Sequence, residues 1–158
     1  VQLRAEDVTG RFGLRDQVVL LYTLRTASGE RIERRGAVTL SAGTRTVAMP
    51  PQFLALALDA PRDSLIFLTI HIYAVDPDRP VLDPLRGDLS QAVASGDSVL
   101  VGCVTDTLYP AEVDAILRGS GSFTYGPIVP GVCAPEGTAW TMTDTPYRVT
   151  YRISAEGL

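Results

Sequence analysis

Four aspartates crowd into one short, proline-broken stretch, Asp76-Pro77-Asp78-Arg79-Pro80-Val81-Leu82-Asp83-Pro84-Leu85-Arg86-Gly87-Asp88. Proline holds the chain extended between Asp76 and Asp78. Residues two apart in an extended chain point to the same side, so both carboxylates face one way. Asp83 or Asp88 can return to the same place. Oxygen ligands in an irregular loop suit Ca²⁺, which takes about 6 to 8 of them at ~2.4 Å. The commoner use of aspartate and proline together is an exposed turn, and that reading stands beside the metal one.

Other chemistry has less material. His71 is the one histidine, and it lies in the middle of an apolar run where a structural role is expected. A serine or cysteine nucleophile would need it as base, and no serine has the Gly-x-Ser-x-Gly setting. One histidine and two distant cysteines supply zinc or copper poorly. Asp106-Thr107 and Asp144-Thr145 are followed by Leu108 and Pro146, where an aspartic-protease motif needs glycine. There is no phosphate-cradling glycine loop and no dinucleotide fingerprint. The chain is therefore expected not to be an enzyme, and to need no cofactor other than Ca²⁺.

Cys103 and Cys133 lie in no CxxC arrangement. In an exported protein they are expected to pair; in a reducing compartment two buried thiols are expected. All 14 basic residues are arginine, and lysine and asparagine are both absent, the codon signature of a GC-rich, bacterial genome. The net charge of −4 and pI of about 4.9 argue against nucleic acid as a partner. No run of apolar residues is long enough for a membrane-spanning helix. An exported or envelope-associated protein is the expected setting, with a cytoplasmic one as the alternative.

These residues need a scaffold to hold them. Leu65 to Val75 is rich in β-branched and aromatic residues and free of Gly and Pro, so a strand is predicted. Ile66, Leu68, Ile70, Ile72 and Ala74 form its buried face, and Leu65, Phe67, Thr69, His71, Tyr73 and Val75 a mixed one. Val1 to Val8 alternates as a half-exposed strand, and Thr9 to Asp16 reads as a turn. Gln17 to Arg25 is predicted to be a central strand, returning through Ala27-Ser28-Gly29 as Arg31 to Leu40. Thr44 to Met49 and Phe53 to Leu58 are predicted strands.

Asp88 and Gln91 mark a helix start, closed by Gly96. Ser98 to Val104 is predicted to be a strand, and Pro110 opens a helix with Val113, Ile116 and Leu117 on one stripe. Gly119 to Gly137 reads as an irregular excursion. Thr138 to Thr143 and Tyr147 to Ser154 are predicted to form a last hairpin, with Tyr147, Val149, Tyr151 and Ile153 inward. Short strands with frequent turns and two short helices describe a single all-β domain over residues 1–158, an antiparallel β-sandwich of about eight to ten strands.

Two elements of the chain resemble the C2 domain family. Asp76-Pro77-Asp78, Asp83 and Gly87 are similar to its Asp-x-Asp loop, and Gly13-Leu14-Arg15-Asp16-Gln17-Val18-Val19 to its Gly-Leu-Ser-Asp-Pro-Tyr-Val element. The likeness covers roughly the first ninety residues. It implies an eight-stranded β-sandwich and a calcium site at Asp16, Asp76, Asp78 and Asp83. Gly10 and Pro84 stand where the family carries further aspartates, so binding is expected to be weak. Arg25, Arg31, Arg34, Arg35 and Arg45 could form a basic face of the kind such domains turn to anionic lipid, or a solvated, charge-protected edge.

The leading expectation is a non-catalytic binding or structural module whose partner is another protein or an envelope component. The alternative is a C2-like module drawn by calcium to a membrane or acidic surface.

Overall fold

The computed structural model describes residues 2–5, 15–29, 31–41, 47–48, 65–75, 88–96, 98–118, 123–128 and 147–153. The described residues are mostly β, with two short helices among them. In chain order the elements are β1 (Gln2–Ala5), β2 (Arg15–Thr26), β3 (Arg31–Ser41), β4 (Val47–Ala48), β5 (Ile66–Val75), α1 (Leu89–Ser95), β6 (Ser98–Leu108), α2 (Pro110–Leu117), β7 (Phe123–Ile128) and β8 (Tyr147–Ile153).

The strands pair antiparallel in two four-stranded sheets, β3-β2-β5-β6 and β4-β1-β8-β7. The first sheet holds the long strands. β2 is central, as its two apolar faces predict, and the turn back to β3 is made where Gly29 takes φ +97°, a left-handed conformation that glycine adopts freely. Gly29 N–H donates to the Thr26 carbonyl at 3.0 Å.

β5 alternates as its sequence predicts. Ile66, Leu68, Ile70, Ile72 and Ala74 are buried, while Phe67, Thr69, His71 and Tyr73 are half-buried. One buried cluster joins Val18, Leu20 and Tyr22 of β2, Leu68, Ile70, Ile72 and Ala74 of β5, and Val101 and Val104 of β6 to Tyr147, Val149 and Tyr151 of β8. Each sheet thus contributes to a shared apolar core. Burial of such side chains is worth about 1.5 to 3 kcal/mol each. α2 closes one end through Val113, which packs with Ile66 and Leu108.

α1 does a different job. Asp88 accepts the Gln91 N–H at 3.1 Å, the helix start expected from its sequence, and Gly96 ends the turn at φ +79°. Leu89 packs on Val19 and Val75, so α1 covers one end of the face of β3-β2-β5-β6 turned away from the shared core. Val75, expected on a mixed face, is buried for this reason.

Several expectations need correction. Arg15 and Asp16 belong to β2, not to a turn, because they continue its ladder opposite Ser41 and Leu40. β6 runs on to Leu108, four residues beyond the predicted end, since its pairing with β5 continues from Val104 opposite Ile70 to Leu108 opposite Ile66. Of Thr44 to Met49 the described residues are Val47–Ala48, which form β4 as expected. The excursion from Gly119 contains β7, in which Gly126 and Pro127 fall where the register with β8 shifts. A bulge tolerates both residues: proline need not donate there, and Gly126 adopts φ +113°. The described part of β8 pairs with β7 and β1. Phe53 to Leu58 and Thr138 to Thr143 lie outside the described residues.

Candidate functional site

The face of β3-β2-β5-β6 turned away from the shared core brings together most of the chemistry-bearing side chains that the structure describes. The register lines them up across four strands. One row runs Arg35, Leu21, His71, Cys103; the next Glu33, Thr23, Thr69, Thr105; the third Arg31, Arg25, Phe67, Thr107. Strand alternation puts them on one side, because their neighbours Leu20, Tyr22, Ile70, Ile72 and Val104 are committed to the core. The surface is mixed: Phe67, Thr69, His71 and Leu21 are half-buried, while Arg25, Arg31, Glu33 and Thr105 are exposed.

The Arg25 guanidinium lies over the Phe67 ring, 5.2 Å from its centroid, a cation–π arrangement. Arg31 forms an ion pair with Glu33, two residues along the same strand face. Arg34 alternates to the other side, opposite Tyr22, and donates to the Glu33 carbonyl at 2.9 Å. The expected basic face is therefore divided: Arg25, Arg31 and Arg35 share a side, Arg34 does not, and Arg45 lies outside the described residues.

His71 sits opposite Cys103, and its ring is 6.3 Å from that of Tyr73. Its Nδ1 is buried without a hydrogen-bond partner among the described residues. Burial holds the imidazole pKa below the ordinary 6.5; Glu33 pulls it up and Arg31 pushes it down, each by less. Burial likewise raises the Tyr73 hydroxyl, against the opposing pull of Arg35. On this partly covered sheet, burial favours the neutral form of the imidazole. Cys103 is itself buried, at 3 % exposure. Cys133 lies outside the described residues.

The loop aspartates Asp76, Asp78 and Asp83 also lie outside them. Asp16 is in β2, and Gln17 stands opposite Val75, so the start of β2 lies beside the end of β5. Asp88 is engaged at the start of α1. Among the described residues no three His, Cys, Asp or Glu side chains gather as metal ligands. No helix among them is long and apolar enough to cross a membrane.

Asp106 has a partner that its Asp-Thr context did not suggest. Its carboxylate accepts the Tyr151 hydroxyl at 2.5 Å through Oδ2 and the Thr107 N–H at 2.8 Å through Oδ1. The signal was present in the parity of two strands. Asp106 alternates inward with Val104 and Leu108, and Tyr151 inward with Val149, so the two side chains converge between the sheets. No family model matches the chain, and neither a curated protein nor a solved structure matches it.

Proposed function

We propose that the chain is a non-catalytic β-sandwich domain of an exported or envelope-associated bacterial protein. In this reading it binds another protein or envelope component through the outer face of β3-β2-β5-β6. The observation that carries this reading is the division of labour along β5. One side is fully committed to the core, while the other presents Phe67, Thr69 and His71 half-covered on a rigid sheet beside Arg25 and Thr105. Aromatic and arginine side chains are the residue types enriched at protein interfaces. The apolar cluster shared by the two sheets supports the sandwich. Pairing of Cys103 with Cys133, the chain's other cysteine, belongs to this reading of an exported protein.

A photo-crosslinking residue placed at Thr69 tests the assignment in extracts of the source cells. Thr124, exposed on β7 of the other sheet, is the control position. A discrete adduct from position 69 and none from 124 is expected. Equal labelling from both positions, or none, overturns the reading.

A second reading keeps the C2-like calcium site. The observation that favours it is that Gln17, next to Asp16 in sequence, stands opposite Val75, the last residue of β5 before Asp76 in the chain. Calcium held there would draw the domain to an acidic or membrane surface.

A further inference from the structure

Arg25 and Arg31 are directly opposite one another on the outer face of the β2–β3 hairpin, and both are exposed. Like charges in this relation destabilise an antiparallel pair. The nearby groups compensate in part: Phe67 lies under Arg25, and Glu33 pairs with Arg31. Arg35 follows on the same strand face. Among the described residues this corner therefore sets two exposed guanidinium groups, Arg25 and Arg31, against the one carboxylate of Glu33, on a chain whose net charge is −4. A local excess of positive charge on an acidic protein is a matched surface for carboxylates, which guanidinium groups bind in a two-point fork.

We propose that this corner is the docking point for an acidic, extended segment of a partner protein, whose carboxylates bridge Arg25 and Arg31. The proposal rests on the reading of this sheet face as a binding surface, and names the partner's chemistry. The charge distribution favours a peptide over a lipid or nucleic-acid partner. A bilayer or a duplex presents a broad negative field that the rest of an acidic domain opposes, whereas a short segment meets only the arginine corner.

The probe is a fluorescent hexaglutamate peptide, titrated by anisotropy at about 50 mM salt and again at about 500 mM, where screening is short-ranged. Wild-type protein is expected to bind, and the Arg25→Glu/Arg31→Glu variant to bind at least roughly tenfold more weakly. An Arg118→Glu/Arg152→Glu variant, with the same net charge but reversed elsewhere, is expected to bind like wild type. Should the reversal disturb folding, the Arg25→Gln/Arg31→Gln variant carries the same expectation. Loss of binding in both charge-matched variants, salt-insensitive binding, or no binding at low salt overturns the proposal. So does equal Arg25- and Arg31-dependent binding to vesicles of phosphatidylserine. If the peptide fails while the Thr69 adduct persists, only the acidic partner is wrong. If the adduct is missing too, the face itself is not the binding surface.

Discussion

The Tyr151 hydroxyl of β8 donates to the Asp106 carboxylate of β6, a polar link between the two sheets. A hydrogen bond to a charged group contributes about 1.5 to 3 kcal/mol. Tyr151→Phe is expected to cost that much in urea unfolding. Tyr22→Phe is expected to go the other way. The Tyr22 hydroxyl is buried in the same cluster with no partner among the described residues, and burial pushes its pKa upward. Deleting an unsatisfied group should leave stability unchanged or raise it by up to ~1 kcal/mol. A clear loss in Tyr22→Phe would show that the hydroxyl is satisfied.

Two glycines separate conformational strain from collision. Gly126 has φ +113°, and a Cβ there would lie 2.6 Å from the Val149 carbonyl oxygen. Gly29 has φ +97° with nothing within 4 Å. Gly29→Ala should cost about 1 kcal/mol, from the dihedral alone. Gly126→Ala should cost appreciably more, because the obstacle is backbone of the neighbouring strand. Equal losses, measured by thermal unfolding, would place the β7 bulge elsewhere.

His71 sets a pH dependence whose sign follows from its burial. Its folded pKa is held below 6.5, so between the two values the unfolded chain binds the proton that the folded protein does not. Stability rises with pH across that window: it is fully present above ~6.5 and is lost as pH falls through the folded value. The charged groups of β3 that act on the ring, Glu33 and Arg31, oppose one another. His71→Gln should flatten the fall in stability between about pH 7 and 5, where few carboxylates titrate. An unchanged slope would mean that the imidazole is solvated.

The fold was legible where one physical signal dominated. β5 and β8 could be read from alternation, because burial of Ile70 or Val149 allows no register slip, and β2 from a run that is apolar on both faces. The helices could be read from Asp88, Gly96 and Pro110. β7 was missed because Gly126 and Pro127 oppose strand propensity, and only the bulge in its pairing with β8 accommodates them. The site was less legible. Sequence spacing grouped five arginines, whereas strand parity sends Arg34 to the opposite side from Arg31 and Arg35. No local signal says that Arg25 falls opposite Arg31, or His71 opposite Cys103, because register is a property of pairs of strands.

Calcium separates the two functional readings. If Asp16, Asp76, Asp78 and Asp83 hold the ion, free Ca²⁺ at ~100 times its dissociation constant adds about 2.7 kcal/mol to stability, several degrees in melting temperature. With a dissociation constant in the ~10⁻⁴ to 10⁻³ M range typical of weak extracellular sites, that needs tens of millimolar calcium at constant ionic strength. Asp76→Asn/Asp78→Asn should abolish the shift without weakening the calcium-free protein. A melting curve indifferent to calcium leaves the loop a structural turn.

The central claim is that β5 serves the core with one side and a partner with the other, and paired substitutions test it most directly. Ile70→Ala, on the buried side, should cost about 2 to 5 kcal/mol. Thr105→Glu, on the exposed row beside Thr69, should change stability by less than ~0.5 kcal/mol. The decisive measurement is the yield of the Thr69 crosslinked adduct in the Thr105→Glu background. The account predicts that the adduct is lost while the melting temperature is kept. An adduct formed undiminished on the fully folded variant would contradict it.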